Sequence, residues 1–158
     1  MTIDKPITYF RGPFRWLSNF EESWLTYEDV VYPTAEHAYQ AAKCADKEEK
    51  DLFVQPAYRS PSQAKRLGRI VKLVDDWDNK RLKVMEDILL EKFTSSNELR
   101  IKLISTGDAY LLEGNDWGDR FWGCEIENWT WVGENNLGKI LMKIRGQLRK
   151  ALPAWYQI

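Results

Sequence analysis

The sequence predicts a mainly helical α+β fold, with about six helices and a few short strands near the N-terminus and around Tyr110. Three observations lead there. Apolar residues recur at helical spacing through two long segments, about 79–94 and 137–152. Capping signals open further helices near Thr34, Asp46 and Ser60. A chain of 158 residues, 44% hydrophobic and 30% charged, is the length of one domain and can bury a real core.

Ile7–Phe10 has strand character and runs into the turn signal Arg11-Gly12-Pro13-Phe14. In Leu17-Ser18-Asn19-Phe20, Asn19 either satisfies backbone groups of a packed loop or hooks a ligand from a cleft wall. Trp24–Tyr27 and Val30–Tyr32 flank Glu28-Asp29 as a short hairpin. Pro33 and the capping Thr34 then open a helix at about Ala35. Glu36, Gln40 and Lys43 share one face of it. In that first turn the helix dipole favours an ionised carboxylate, so Glu36 is either ordinary helix chemistry or a site acid.

A second helix runs from Asp46 to about Val54, and a third from Ser60-Pro61-Ser62-Gln63 to about Ile70. The third carries Lys65, Arg66 and Arg69, which make either a solvated face or one that meets phosphates. The longest helix, about Asn79 to Thr94, presents Leu82, Met85, Leu89 and Phe93 as its buried stripe, with Val84 and Ile88 alongside. Trp77 stands at its entrance as a hydrophobic staple or a stacking platform. Glu98 to Ser105 is a further helix, stopped by Thr106-Gly107.

Tyr110-Leu111-Leu112 reads as a strand leading into the loop Glu113–Gly123, where Gly alternates with Asn, Asp and Trp. Eight tryptophans, several within Trp117–Trp131, make an exposed turn an unfavourable reading and a cleft-lining loop the favoured one. Glu113, Asp116 and Asp119 offer carboxylates there. The last helix begins at about Leu137, its core stripe formed by Leu137, Ile140, Leu141, Ile144 and Leu148. Its first N–H groups, around Asn136 and Gly138, are an expected anion cradle. Residues 153–158 are expected to be a tail.

Composition excludes whole classes. The formal net charge of −1 gives no global field toward nucleic acid or membrane. No stretch has the apolar length of a membrane-spanning helix, and no secretory leader is expected. Cys44 and Cys124 lack metal-type spacing and His37 is the only histidine, so neither a metal nor a cofactor is expected. The expected compartment is a reducing cytoplasm.

Taken together, the motifs resemble a known family. They are Leu17-Ser18-Asn19-Phe20, Glu36-His37-Ala38-Tyr39-Gln40-Ala41-Ala42-Lys43, Thr106-Gly107-Asp108, Glu113-Gly114-Asn115, Trp117-Gly118-Asp119, Trp122-Gly123, and Asn136-Leu137-Gly138-Lys139-Ile140-Leu141-Met142 with Arg145. In this order and spacing they resemble the NADAR (YbiA-like) N-glycosidase family, with a core at about 9–150 of a single 1–158 domain. The resemblance implies hydrolysis of the bond between ribose C1 and an exocyclic amine of a guanine- or uracil-type ring. It implies that Glu36, Trp77 and Asp119 match positions tied to activity, and that Lys43 matches a lysine proposed to act covalently. Cys124–Glu134, with Trp129 and Trp131, is longer and more aromatic than in compact members.

On that basis Glu36, Lys43 and Asp119 are the expected catalytic groups. Lys43 attacks C1, Glu36 orients it or shuttles protons, and Asp119 holds a ribose hydroxyl or activates water. Trp77 or Trp122 stacks on a base, and Arg11, Asn19 and the Asn136–Gly138 helix start hold phosphates or ribose. Gln40, Glu113, Asn115, Trp117 and Gly123 complete the expected substrate-binding set. The expected substrate is an ADP-ribosylated guanine nucleotide or nucleic acid. The alternatives are a ribosylated pyrimidine phosphate of riboflavin synthesis, or binding of ADP-ribose or NAD without catalysis.

Overall fold

Side-chain caps open three of the helices, whereas the expected cap Asp46 makes no such bond at the start of the second. Thr34 is extended and its Oγ1 accepts the His37 backbone N–H at 3.2 Å, opening α1 (Ala35–Ala42). Ser60 and Gln63 exchange both hydrogen bonds of a capping box, with Pro61 at the first position of α3 (Pro61–Leu67). Ser96 caps α5 (Asn97–Ser105), which stops at Thr106 before Gly107 takes a positive φ. The structure is a computed structural model that describes residues 5–153, so all but the first residue of the expected tail lies outside the described residues.

The chain divides into two units. One, Asn19–Ser95, holds a two-stranded antiparallel hairpin of β1 (Glu22–Tyr27) and β2 (Val30–Thr34). Glu28 and Asp29 both have positive φ, the geometry a two-residue hairpin turn requires. It continues through α1, α2 (Lys47–Leu52), a 3-10 turn at Pro56–Tyr58, α3 and α4 (Trp77–Ser95). Both α3 and α4 pack against α1, and β1 packs on α4.

The other unit joins the residues up to Ser18 to those from Ser96 onward. It contains a 3-10 helix at Gly12–Leu17, α5, the hairpin β3 (Glu125–Glu127) and β4 (Thr130–Val132), and α6 (Asn136–Lys150). All five apolar residues of the predicted α6 stripe are buried. Each contributes roughly 1.5–3 kcal/mol relative to exposure. Arg145 is buried beside them, its Nη1 donating to Thr106 Oγ1 and to the Ala109 carbonyl, both at 2.8 Å. The α+β class therefore holds.

Three expectations change. Ile7–Phe10 and Tyr110–Leu112 are not strands but a single parallel bridge, Ile7 with Leu111, because no neighbouring strand extends the ladder. In α4, Leu82 is 42% exposed, while Ile88 and Lys92 join Met85, Leu89 and Phe93 inside. Lys92 is fully enclosed, and burial pushes its ammonium down to about 7, opposed by Glu21. The stripe starts one turn later than read, since Trp77 itself begins the helix and covers that end of the core. Finally, Trp117 is 56% exposed and Trp129 99% exposed, so the tryptophan-rich segment is not uniformly buried.

Gly138 on α6 has no room for a side chain. A Cβ there would lie 2.1 Å from the Leu111 carbonyl oxygen and 2.6 Å from both amide atoms of Asn135. Gly138→Ala is expected to lower stability by about 1–3 kcal/mol. Urea unfolding should show a lower midpoint at an unchanged slope.

Candidate functional site

Helix α1 supplies the densest polar cluster. Seven of its eight residues, Ala35 to Ala41, are buried, and Glu36, His37 and Gln40 are among them. Burial on this scale demands internal partners. The Glu36 backbone N–H donates to the Asn19 carbonyl at 3.0 Å, and Gln40 Nε2 donates to Glu36 Oε1 at 2.7 Å. Asn19 Nδ2 lies 3.4 Å from Met85 Sδ. The Oδ1 of Asn19 and the Oε1 of Gln40 are buried acceptors without a hydrogen-bond partner.

His37 is structural. Its Nε2 lies 2.8 Å from the Tyr58 carbonyl, which can only accept, so Nε2 carries the proton and Nδ1 accepts from the Thr34 hydroxyl at 2.8 Å. Burial lowers its pKa, with the backbone contacts at Tyr58 and Arg59 opposing, which favours the neutral ring.

Lys43 caps the far end of α1, its Nζ 5.3 Å from the centre of the Tyr39 ring. Tyr39 in turn lies 5.4 Å from the Trp77 ring at a 52° tilt. Partial burial holds the Lys43 ammonium below the ordinary lysine value. Glu36 opposes that shift, and the cations of Lys65 and Arg69 reinforce it. Within the 19–95 unit the expected residues Asn19, Glu36, Gln40, Lys43 and Trp77 are thus linked by hydrogen bonds, ring contacts and charge.

Arg11, Glu113, Asn115, Trp117, Asp119, Trp122, Gly123, Asn136 and Gly138 lie in the other unit. There Asn115 is the hub of the loop. It is buried, and its Oδ1 accepts the Asp119 N–H at 3.0 Å while its Nδ2 donates to the Asp119 carbonyl at 2.8 Å and the Cys124 carbonyl at 3.1 Å. Asp119 Oδ1 accepts the N–H groups of Phe121 at 3.2 Å and Trp122 at 2.9 Å, and the Trp122 ring meets Phe121 edge-on. Gly123 is there for closeness, since a Cβ would lie 2.2 Å from the Glu113 carbonyl oxygen.

One expectation for this unit is corrected in part. In the anion cradle expected at Asn136–Gly138, the N–H groups of Asn136 and Leu137 are occupied. The N–H groups of Glu134, Asn135, Asn136 and Leu137 go to the carbonyls of Arg120, Gly123, Phe121 and Trp122. Arg11 lies at the surface, paired with Asp116 at 3.4 Å and within 5.2 Å and 5.7 Å of the Tyr9 and Trp117 ring centres. The two rings flank its guanidinium.

Sequence reading missed Tyr39, Gly68 and Asn135. Tyr39 had a signal, being four residues before Lys43 on a helix. Asn135 had a weaker one: at φ 53 it fits the residue type that tolerates left-handed backbone, and its amide bridges Glu113 N–H and the Leu111 carbonyl at 3.0 and 2.9 Å. Gly68 had none, because its role depends on how α3 meets α1. The open recess bounded by Ala57, Tyr58, Gln63, Arg66, Leu67 and Ile70 includes none of the expected site residues. Among the described residues no group of three or more His, Cys, Asp or Glu is placed to hold a metal ion, and no helix is long and apolar enough to cross a membrane.

Comparison with known proteins now adds to this geometry. A family model described as the NADAR domain matches residues 9–149. An N-glycosidase of Nostoc punctiforme is 36% identical over 145 residues, covering 89% of both chains. The N-glycosidase YbiA of Escherichia coli strain K12 is 33% identical over 133 residues, 83% of this chain and 79% of that one. A riboflavin biosynthesis protein of Vibrio vulnificus is 35% identical across 96% of this chain but only 41% of its own length. The NMR structure of the E. coli protein YbiA superposes with a TM-score of 0.81 at 30% identity, covering 94% of this chain and 87% of that one.

Asn115→Ala removes the hub of the 113–124 loop and strands buried backbone groups. A loss of about 1–3 kcal/mol is expected. Amide exchange at Asp119 and Trp122 should quicken while that of α6 is retained, which separates local loosening from global unfolding.

Proposed function

The chain belongs to the NADAR domain family, and from that membership we propose that it cuts the bond between ribose C1 and an exocyclic amine of a guanine-like base. It is a hydrolase of N-glycosidic bonds, the activity carried in its relatives' names. The best reading of the substrate is ADP-ribose on guanine in nucleic acid. One observation carries the chemistry: an amine with a lowered pKa, Lys43, sits on the same buried helix as the fixed carboxylate of Glu36.

A glycosylamine opens to an imine when the ring oxygen leaves C1 and takes a proton. The neutral Lys43 amine then adds to C1, and the amine of the base departs with a proton, leaving a Schiff base between lysine and sugar. Water adds to C1, the lysine leaves, and the sum is ribosyl amine plus water giving free sugar and free base. Glu36 receives and returns protons and offsets the cationic iminium, and Gln40 holds it in place. Tyr39, backed by Trp77, frames the lysine with its ring. Asp119, in the other unit, has its Oδ1 taken by the Phe121 and Trp122 N–H groups, and Asp119→Asn kinetics test its part in the reaction separately.

Support for a nucleotide substrate comes from the Tyr9, Arg11 and Trp117 platform, an exposed set of π-faces and a cation of the kind that stacks on bases. A second reading, a ribosylamino-pyrimidine phosphate, is favoured by the relatives named riboflavin biosynthesis proteins. Parallel incubation with ADP-ribosylated guanine DNA and with the ribosylamino-pyrimidine phosphate, read by mass spectrometry, decides between them. If neither ribose–nitrogen bond is cut, the N-glycosidase proposal is wrong.

Lys43→Ala is expected to lower kcat by about 10²–10⁴-fold. Borohydride added during turnover should leave a sugar adduct on Lys43 of the unmodified enzyme, and its absence would leave direct attack by water. Because the nucleophile is the neutral amine, kcat/KM should rise with pH along a limb whose midpoint lies below the ordinary lysine value of about 10.4.

A further inference from the structure

The end of α3 lies over α1 at a point of unusually close approach. A Cβ on Gly68 would fall 1.9 Å from Gln40 Oε1, so the bare backbone of Gly68 meets the side chain that holds Glu36. Lys65 is one turn before Gly68, and Arg69 follows it directly. Lys65 Nζ stands 5.8 Å from the centre of the Phe20 ring, next in the chain to Asn19, whose carbonyl takes the Glu36 N–H. On α1, Lys43 is one turn beyond Gln40.

Three cations, Lys43, Lys65 and Arg69, are therefore gathered where α3 crosses α1, close enough for the latter two to act on the first. Among the described residues neither Lys65 nor Arg69 forms an ion pair. Lys50 on α2, Lys83 on α4 and Arg149 on α6 are each matched to a carboxylate. Arg66, on the same helix as Lys65, borders the recess with Gln63 and Ile70 and is not among the cations that act on Lys43. Lys65 and Arg69 thus add two positive charges beside Lys43 against the one carboxylate, Glu36, that acts on it, and a dianion placed among them offsets that excess.

We infer that Lys65 and Arg69 form a phosphate subsite that grips the phosphate on C5 of the ribose whose C1 meets Lys43. The inference rests on the N-glycosidase reading for the identity of the sugar. Both candidate substrates carry such a phosphate, one as a monoester and the other as the first phosphorus of a pyrophosphate. Guanidinium and ammonium donors suit either.

The test is direct binding without turnover, by calorimetry, of ribose 5-phosphate, ADP-ribose and unphosphorylated ribose. The proteins compared are the unaltered chain and the Lys65→Met, Arg69→Met and Arg66→Met variants. Each of Lys65→Met and Arg69→Met is expected to weaken ribose 5-phosphate binding by about tenfold or more, as loss of a charge-assisted hydrogen bond does. Arg66→Met, the same charge change at the border of the recess, should leave it unaltered, and ribose should not distinguish the proteins. Parallel loss for ADP-ribose assigns the subsite to a pyrophosphate as well, and loss for ribose 5-phosphate alone assigns it to a monoester. Equal weakening by Arg66→Met, undiminished binding in Lys65→Met and Arg69→Met, or no phosphate-dependent binding to the unaltered chain overturns the subsite. Turnover is assayed apart from this, so an inactive protein that shows the expected binding pattern would sink the N-glycosidase reading and keep the subsite.

Discussion

Helix α1 is enclosed on nearly every side, and that single constraint shapes the 19–95 unit. A carboxylate, an imidazole and a carboxamide cannot lie inside a protein without partners, because each would forfeit its bonds to water. The surrounding elements answer in turn. Asn19 meets the Glu36 N–H, Thr34 and Tyr58 lock the His37 ring, and Gln40 grips Glu36. The alanines at 35, 38 and 41 keep the helix narrow enough for α3 and α4 to pack on it. What emerges is a fixed acid on a crowded helix whose exit carries the half-buried amine of Lys43.

The other unit solves a different problem. Its 113–124 loop has no regular ladder, yet its backbone groups are paired through side chains that imitate backbone. Asn115 and Asp119 close successive turns, and Asn135 ties the loop to the residues around Leu111. Glycines at 114, 123 and 138 let strands of backbone touch where a methyl group would not fit. That geometry uses the Asn136 and Leu137 donors at the start of α6, which is why a helix terminus that looks open in sequence proves largely occupied.

Much of the fold was legible because local signals and tertiary packing agree. Thr34, the Ser60–Gln63 box and Thr106-Gly107 place helix ends, and the α6 periodicity names its core residues. The reading failed where a residue's role depends on a distant partner. Leu82 fits the helical period but faces outward, Lys92 breaks the period and lies inside, and Gly68 matters only through Gln40. For the candidate site, the face shared by Glu36, Gln40 and Lys43 could be read from spacing alone. The Asn115 hub could not, since Asn beside Gly in a loop is equally the mark of a plain surface turn.

The locked imidazole has a wider meaning for the chemistry. This chain has one histidine, and both of its ring nitrogens are committed to holding α1 against Thr34 and Tyr58. The side chain that most proteins employ as a proton carrier near neutrality is here a rivet. In the proposed cleavage, proton traffic runs between the Lys43 amine and the Glu36 carboxylate, groups whose unperturbed titrations lie far from neutrality on opposite sides. Enclosure therefore does two jobs at once. It braces the helix, and it draws the amine toward the range in which it can exchange protons with its surroundings.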